Sequence, residues 1–144
     1  MKILKSLVVL LFIGFTVNAQ DMASSEVPTA IQSQFKKAYK NATDIEWEKK
    51  LDNYQVEFEI DRMDYEVWYA ANGKQVKLEK EIKPNELPTA IKSAIKNRYS
   101  DYSIDDCELR EEKGKTTYLV ELEKWNDEID VVYDAKGKLI KETK

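Results

Sequence analysis

The chain has 144 residues, with 27 acidic and 23 basic side chains, no histidine and one cysteine, for a net charge of −4. That balance excludes the basic patches from which nucleic-acid binders draw their affinity. The missing histidine removes the commonest general base, triad member and metal ligand together, and a lone Cys107 allows no intramolecular disulfide.

The first nineteen residues read as a segment apart from the fold. Lys2 and Lys5 form a short positive region, Leu7 to Val17 an apolar run, and Val17-Asn18-Ala19 a cleavage site, the pattern of a secretory signal. The run falls short of the roughly 20 residues a membrane span needs, and Gln20 stands where a lipoprotein would carry cysteine. Cleavage after Ala19 would send the chain to a periplasm or the medium with no stable membrane anchor. Loss of the two lysines leaves 21 basic against 27 acidic residues, a net charge of −6.

Residues 20–26 are small and polar and read as a loose leader. Val27-Pro28 opens a helix with proline at its first position, where the missing N–H costs nothing. Ala30, Ile31, Phe35, Ala38 and Tyr39 fall on its apolar face, while Gln32, Lys36, Lys37 and Lys40 face water. Asn41-Ala42-Thr43 stops it. Ile45, Trp47, Lys49 and Leu51 then alternate with charges in a strand. Tyr54, Val56, Phe58 and Ile60 alternate with Gln55, Glu57 and Glu59, the period-2 pattern of a strand with one dry face. Tyr65, Val67 and Tyr69 resume that face after a polar break at Asp61 to Asp64. Asn72-Gly73 supplies a tight hairpin, and Val76 and Leu78 mark a further strand.

After Lys83-Pro84-Asn85-Glu86 the pattern restarts. Residues 87–99 match residues 27–39 at 7 of 13 positions, at a spacing of 60. Residues 118–138 match residues 54–74 at 9 of 21 positions, at a spacing of 64. The four extra residues fall between Asp105 and Lys115, with Gly114 in a lengthened turn, and Cys107 takes the place of Trp47. A period of about 60 with two copies indicates a duplicated domain rather than a solenoid. Residues 20–82 form one repeat and 83–144 the other. Packed edge to edge or face to face, the two make an α+β fold of eight antiparallel strands with two helices on one side.

The repeated [VL]-P-T-A-I-x-S…Y helix, the Y-x-V-E-[FL]-E strand and the Y-x-A-x-G-K hairpin resemble the PepSY-like, beta-lactamase-inhibitor-like family over Val27 to Lys144. The resemblance implies tandem helix-plus-four-strand units of the beta-lactamase-inhibitory-protein type, exported by bacteria of the Bacteroidota type. It also implies modulation of a secreted peptidase. No inhibitory motif carries over residue by residue, and fold analogy does not establish function.

Chemistry is thinly provided. Cys107 has no histidine to activate it and sits at an inward strand position, and the four glycines form no phosphate loop. Glu57, Glu59 and Glu66, and Glu121, Glu123 and Asp130, share sheet faces, but they lack the convergent loop pattern that calcium prefers. No catalytic residue, metal ligand or cofactor is assigned. What stands out is apolar side chains at outward positions. If Tyr65, Val67 and Tyr69 point in, Trp68 points out, and by the same register so do Leu119 and Val132; Trp125 falls in a turn. Exposed tryptophan ringed by polar groups marks interaction hot spots; the alternative is that the two copies bury some of these residues against each other, or that Trp125 folds back over the sheet edge. Trp47, Tyr54, Tyr69, Tyr118 and Tyr133 read as core. The expectation is an exported, non-catalytic module, monomeric or weakly dimeric, that binds an extracytoplasmic protein through its open sheet face. The alternative is a carrier of a small ligand or divalent cation.

Overall fold

The computed structural model describes residues 20–144; the segment read as a signal, with its cleavage site, lies outside the described residues. The elements in order are β1 (Gln20–Met22), α1 (Thr29–Ala38), β2 (Thr43–Lys50), β3 (Asn53–Ile60), β4 (Met63–Ala70), β5 (Gln75–Glu81), α2 (Thr89–Arg98), β6 (Ser103–Glu112), β7 (Lys115–Lys124), β8 (Asp127–Asp134) and β9 (Leu139–Thr143). The strands form one antiparallel meander in which each pairs with its neighbours in sequence. The two repeats meet edge to edge, β5 against β6, from Lys77 opposite Glu112 to Glu81 opposite Glu108. Of the two packings the sequence left open, this is the one adopted. It leaves the apolar face continuous across both repeats, so α1 and α2 cover the same side.

The eight expected strands, β2 to β9, are joined at the sheet edge by a short ninth, β1. Residues 20–26 are not loose: Gln20 to Met22 pair with Lys49 to Trp47 of β2, and Ser24–Glu26 form a 3-10 turn. Glu26 accepts a hydrogen bond from the Ala23 N–H at 2.9 Å, and Glu86 accepts one from the Lys83 N–H at 2.8 Å ahead of α2. The same capping device therefore precedes both helices. Pro28 and Pro88 sit one position earlier than expected, with the extended ψ of cap residues, and the helices begin at Thr29 and Thr89.

Each helix buries one stripe. Ile31 and Phe35 of α1 pack on Trp47, Val56, Phe58, Val67 and Tyr69. Phe35 meets Trp47 and Phe58 edge-on, with centroids 5.3 and 5.0 Å apart, the geometry the ring quadrupole favours. Ile91 and Ile95 of α2 pack on Cys107, Val120, Leu122, Ile129, Val131 and Tyr133, a mainly aliphatic counterpart. Each fully buried aliphatic or Phe side chain contributes about 1.5–3 kcal/mol. Two inward assignments fail. Ile45 is exposed because Asp44, at φ 49°, bulges β2, and Leu51 lies in the β2–β3 turn at φ 53°.

The inserted residues lengthen strands, not a turn. β6 and β7 have ten residues each against eight in β2 and β3, while both hairpins keep two-residue turns. Adding residues in pairs preserves which face each side chain takes. The polar break of the first repeat likewise shrinks to Asp61-Arg62, both left-handed at φ 54° and 65° as a tight hairpin demands.

Candidate functional site

Directly paired residues share a face of the sheet, so the ladders define what the helix-free side presents. Trp68 lies there, half-buried between Gln55 of β3 and Lys77 of β5. Lys77 Nζ sits 3.7 Å from the ring centroid, a cation–π contact. Leu119 and Val132 lie on the same face directly opposite each other, between Glu108 and Lys141. They do not adjoin Trp68. Strands β5 and β6 intervene, and the row through Leu119 runs to Glu108 and Glu81 whereas the row through Trp68 runs to Lys77 and Glu112. The face thus holds two apolar spots in a polar field. Trp125 is apart from both, 90% exposed in the β7–β8 turn at φ 60°.

That polar field is acidic. Register places on it Glu46 and Glu48 of β2, Glu57 and Glu59 of β3, Asp64 and Glu66 of β4, Glu79 and Glu81 of β5, Asp106, Glu108 and Glu112 of β6, Glu121 and Glu123 of β7, and Glu128, Asp130 and Asp134 of β8. On the same face of β2 to β9 the cations are Lys50, Lys77, Arg110, Lys115 and Lys141, so across those strands 16 carboxylates face 5 cations, a net −11. Charge of one sign is concentrated on the uncovered side of the sheet.

One row packs this charge most tightly. Glu46, Glu57, Glu66 and Glu79 stand opposite one another across β2 to β5. Gln55, 1% exposed, donates from Nε2 to Glu57 Oε1 at 2.9 Å and to Glu66 Oε1, while its own Oε1 is buried and accepts no hydrogen bond. Lys77 Nζ reaches Glu79 at 2.9 Å, and Arg110 pairs with the same oxygen. Both cations reach Glu79, whereas Glu57 and Glu66 share the Gln55 amide and Lys50 and Lys77 act on Glu66 only at longer range. Burial, followed by Glu79 and Glu57, pushes the Glu66 carboxyl up to about 8. Burial, followed by Glu79 and Asp106, pushes Glu108 up to about 7. A cleft of about 450 Å³ opens beside this row, bounded by Met22 to Ser24, Ile45 to Glu48, Gln55 and Glu57.

The second carboxylate group is looser. Glu121 opposes Asp130 and Glu123 opposes Glu128, and desolvation followed by their mutual repulsion raises Glu121. Among the described residues no three His, Cys, Asp or Glu side chains are grouped to hold a metal ion. Cys107 is 1% exposed, and burial pushes its thiol up to about 12, the reverse of an activated nucleophile. Trp47 is buried under α1 as expected, and the Tyr69 and Tyr133 hydroxyls are buried without a partner. Gln55 and Glu46 escaped the sequence reading. Alternation marks every outward polar residue alike and carries no signal of which one its neighbours will bury.

A module with two helices on one side of a duplicated antiparallel sheet, its other side left uncovered by the described residues, defines the class. The chain belongs to the family described as "Putative beta-lactamase-inhibitor-like, PepSY-like", whose model matches it over residues 16–64 and again over 52–141. Among solved structures, a BLIP-like protein of Bacteroides fragilis is 32% identical, with a TM-score of 0.65 and coverage of 81% of this chain and 84% of that one. A DUF2874 family protein of Bacteroides uniformis is 21% identical (TM-score 0.68, coverage 81% and 88%). A protein of Bacteroides eggerthii described as a putative periplasmic protein is 20% identical (TM-score 0.69, coverage 81% and 88%). These last two share the fold. No curated protein matches the chain.

Proposed function

We propose that this protein is an exported, non-catalytic binding module that engages an extracytoplasmic protein, such as a peptidase or another envelope enzyme, through the helix-free face of its sheet. The observation that carries the reading is the segregation on that face: half-buried Trp68 and the Leu119–Val132 pair stand as apolar spots in a field of carboxylates. Aromatic anchors ringed by polar groups are how interfaces concentrate binding energy. Export is supported by the N-terminal signal pattern, and by the absence, among the described residues, of a helix long and apolar enough to cross a membrane. A non-catalytic role is supported by the lack of histidine and the inert position of Cys107.

The test is capture from an envelope extract, comparing the protein with its Trp68→Ala variant at matched melting temperature. A partner held by the first and released by the second supports the reading. Capture of the same set by both, or of nothing by either, overturns it. The cleft beside Gln55 favours one second reading, a carrier of a small ligand or divalent cation. That reading requires a melting temperature that rises with a small ligand, or that rises with calcium and falls with chelator.

A further inference from the structure

We propose that the cleft at Gln55 is the seat for an arginine side chain of the protein docked on the acidic face. The inference rests on the binding-module reading and adds the chemistry of the partner. Three independent features point to it.

The first is charge. The helix-free face carries its 16 carboxylates against 5 cations, so a docking surface complementary to it is basic. The second is an orphaned acceptor. Gln55 is 1% exposed and lines the cleft, yet among the described residues nothing donates to its Oε1, which costs free energy in the unbound protein and is relieved by an incoming donor. The third is the arrangement around it. Glu46 and Glu57 are exposed carboxylates paired across β2 and β3, both line the cleft, and among the described residues neither has a cation within ion-pair distance, whereas Glu48 beside them holds Lys50 at 3.0 Å. A guanidinium presents five donors in a planar fork, enough to bridge two carboxylates and an amide oxygen at once, and it sheds water more readily than an ammonium. Glu66, which shares the row, is raised by burial first and then by its neighbours Glu79 and Glu57, so an added cation beside it would meet carboxylates held close together.

The probe is a short blocked peptide alternating arginine and serine, titrated into the purified protein by NMR against matched lysine and citrulline peptides. The arginine peptide is expected to shift the Gln55 side-chain amide and the backbone amides of Glu46 and Glu57, and to bind about tenfold tighter than the citrulline peptide. Glu46→Gln with Glu57→Gln is expected to weaken it about tenfold. Asp52→Asn with Asp61→Asn, which removes the same charge from exposed turns, is expected to change it by less than about twofold. Equal weakening by both pairs, shifts elsewhere on the surface, or equal binding of the lysine peptide overturns the proposal. So does calcium chloride alone moving the same resonances at lower concentration than the peptide. If the peptide does not seat but a Trp68-dependent partner is still captured, the arginine seat fails and the module reading stands. A seated peptide with no Trp68-dependent capture removes the module reading and leaves the cleft as a guanidinium site.

Discussion

Lys77 Nζ lies 3.7 Å from the centroid of Trp68, directly across the β4–β5 ladder, while the same ammonium reaches Glu79 at 2.9 Å. One ammonium thereby links the ring to the acidic row beside it. Stacking of a cation on a partly exposed ring is worth about 0.5–1 kcal/mol. A double-mutant cycle of Trp68→Ala and Lys77→Ala is expected to return a coupling of about that size by denaturant unfolding. A coupling of zero would mean the ring is held by packing alone.

Stability should decline as pH rises through the neutral range. Glu66 and Glu108 keep their protons to about 8 and about 7 in the folded chain, above the ordinary 4.5. Between those values the folded state binds more protons than the unfolded one, so their contribution is full below about pH 4.5 and is lost as pH climbs through about 7 to 8. Asp101 and Asp127, lowered by hydrogen bonds from Lys124 and Tyr102, act in the opposite sense at the acidic end. Melting curves from about pH 5 to about pH 9 should show a falling midpoint, and Glu66→Gln should flatten much of that fall. An unchanged slope in the variant would remove Glu66 as its source.

Gly73 and Gly137 occupy equivalent hairpins but differ in tolerance. A Cβ on Gly137 would come within 2.8 Å of the Ala90 backbone, at φ 82°, whereas one on Gly73 would meet Ala30 only at 3.8 Å, at φ 84°. Both alanine substitutions carry the left-handed penalty of about 1 kcal/mol, and Gly137→Ala adds a backbone clash that takes it to about 2–3 kcal/mol. Thermal unfolding of the two variants side by side tests the ranking.

Trp125 carries a large side chain at φ 60°, a conformation that asparagine adopts more readily, and 90% of it is exposed. Trp125→Asn should therefore raise stability by about 0.5 kcal/mol, since the strain is relieved and almost no burial is lost. A gain accompanied by lost partner capture would assign the strained tryptophan to binding. A loss of stability would show that the ring packs in solution.

Much of the fold was legible because alternation and duplication reinforce each other. Val56, Phe58, Val67 and Tyr69 could be placed on the dry face from period alone, and their counterparts Val120, Leu122, Val131 and Tyr133 from the repeat. Where backbone conformation departs from regular strand, the reading slipped. Ile45 is left exposed beside the Asp44 bulge and Leu51 lies in the turn, and the three-residue β1 is too short to show a period.

The sequence by itself determined which residues face the helices and which face away, because a strand's side chains alternate whatever its neighbours are. It also determined that there are two homologous halves. Only the tertiary structure decided that those halves join at β5 and β6, that Trp68 and the Leu119–Val132 pair are separate spots, and that Gln55 is buried among carboxylates on the outward face. Those properties depend on which strands lie side by side and in what register. Register is set by hydrogen bonds between segments distant in sequence, to which the period of any one strand is blind.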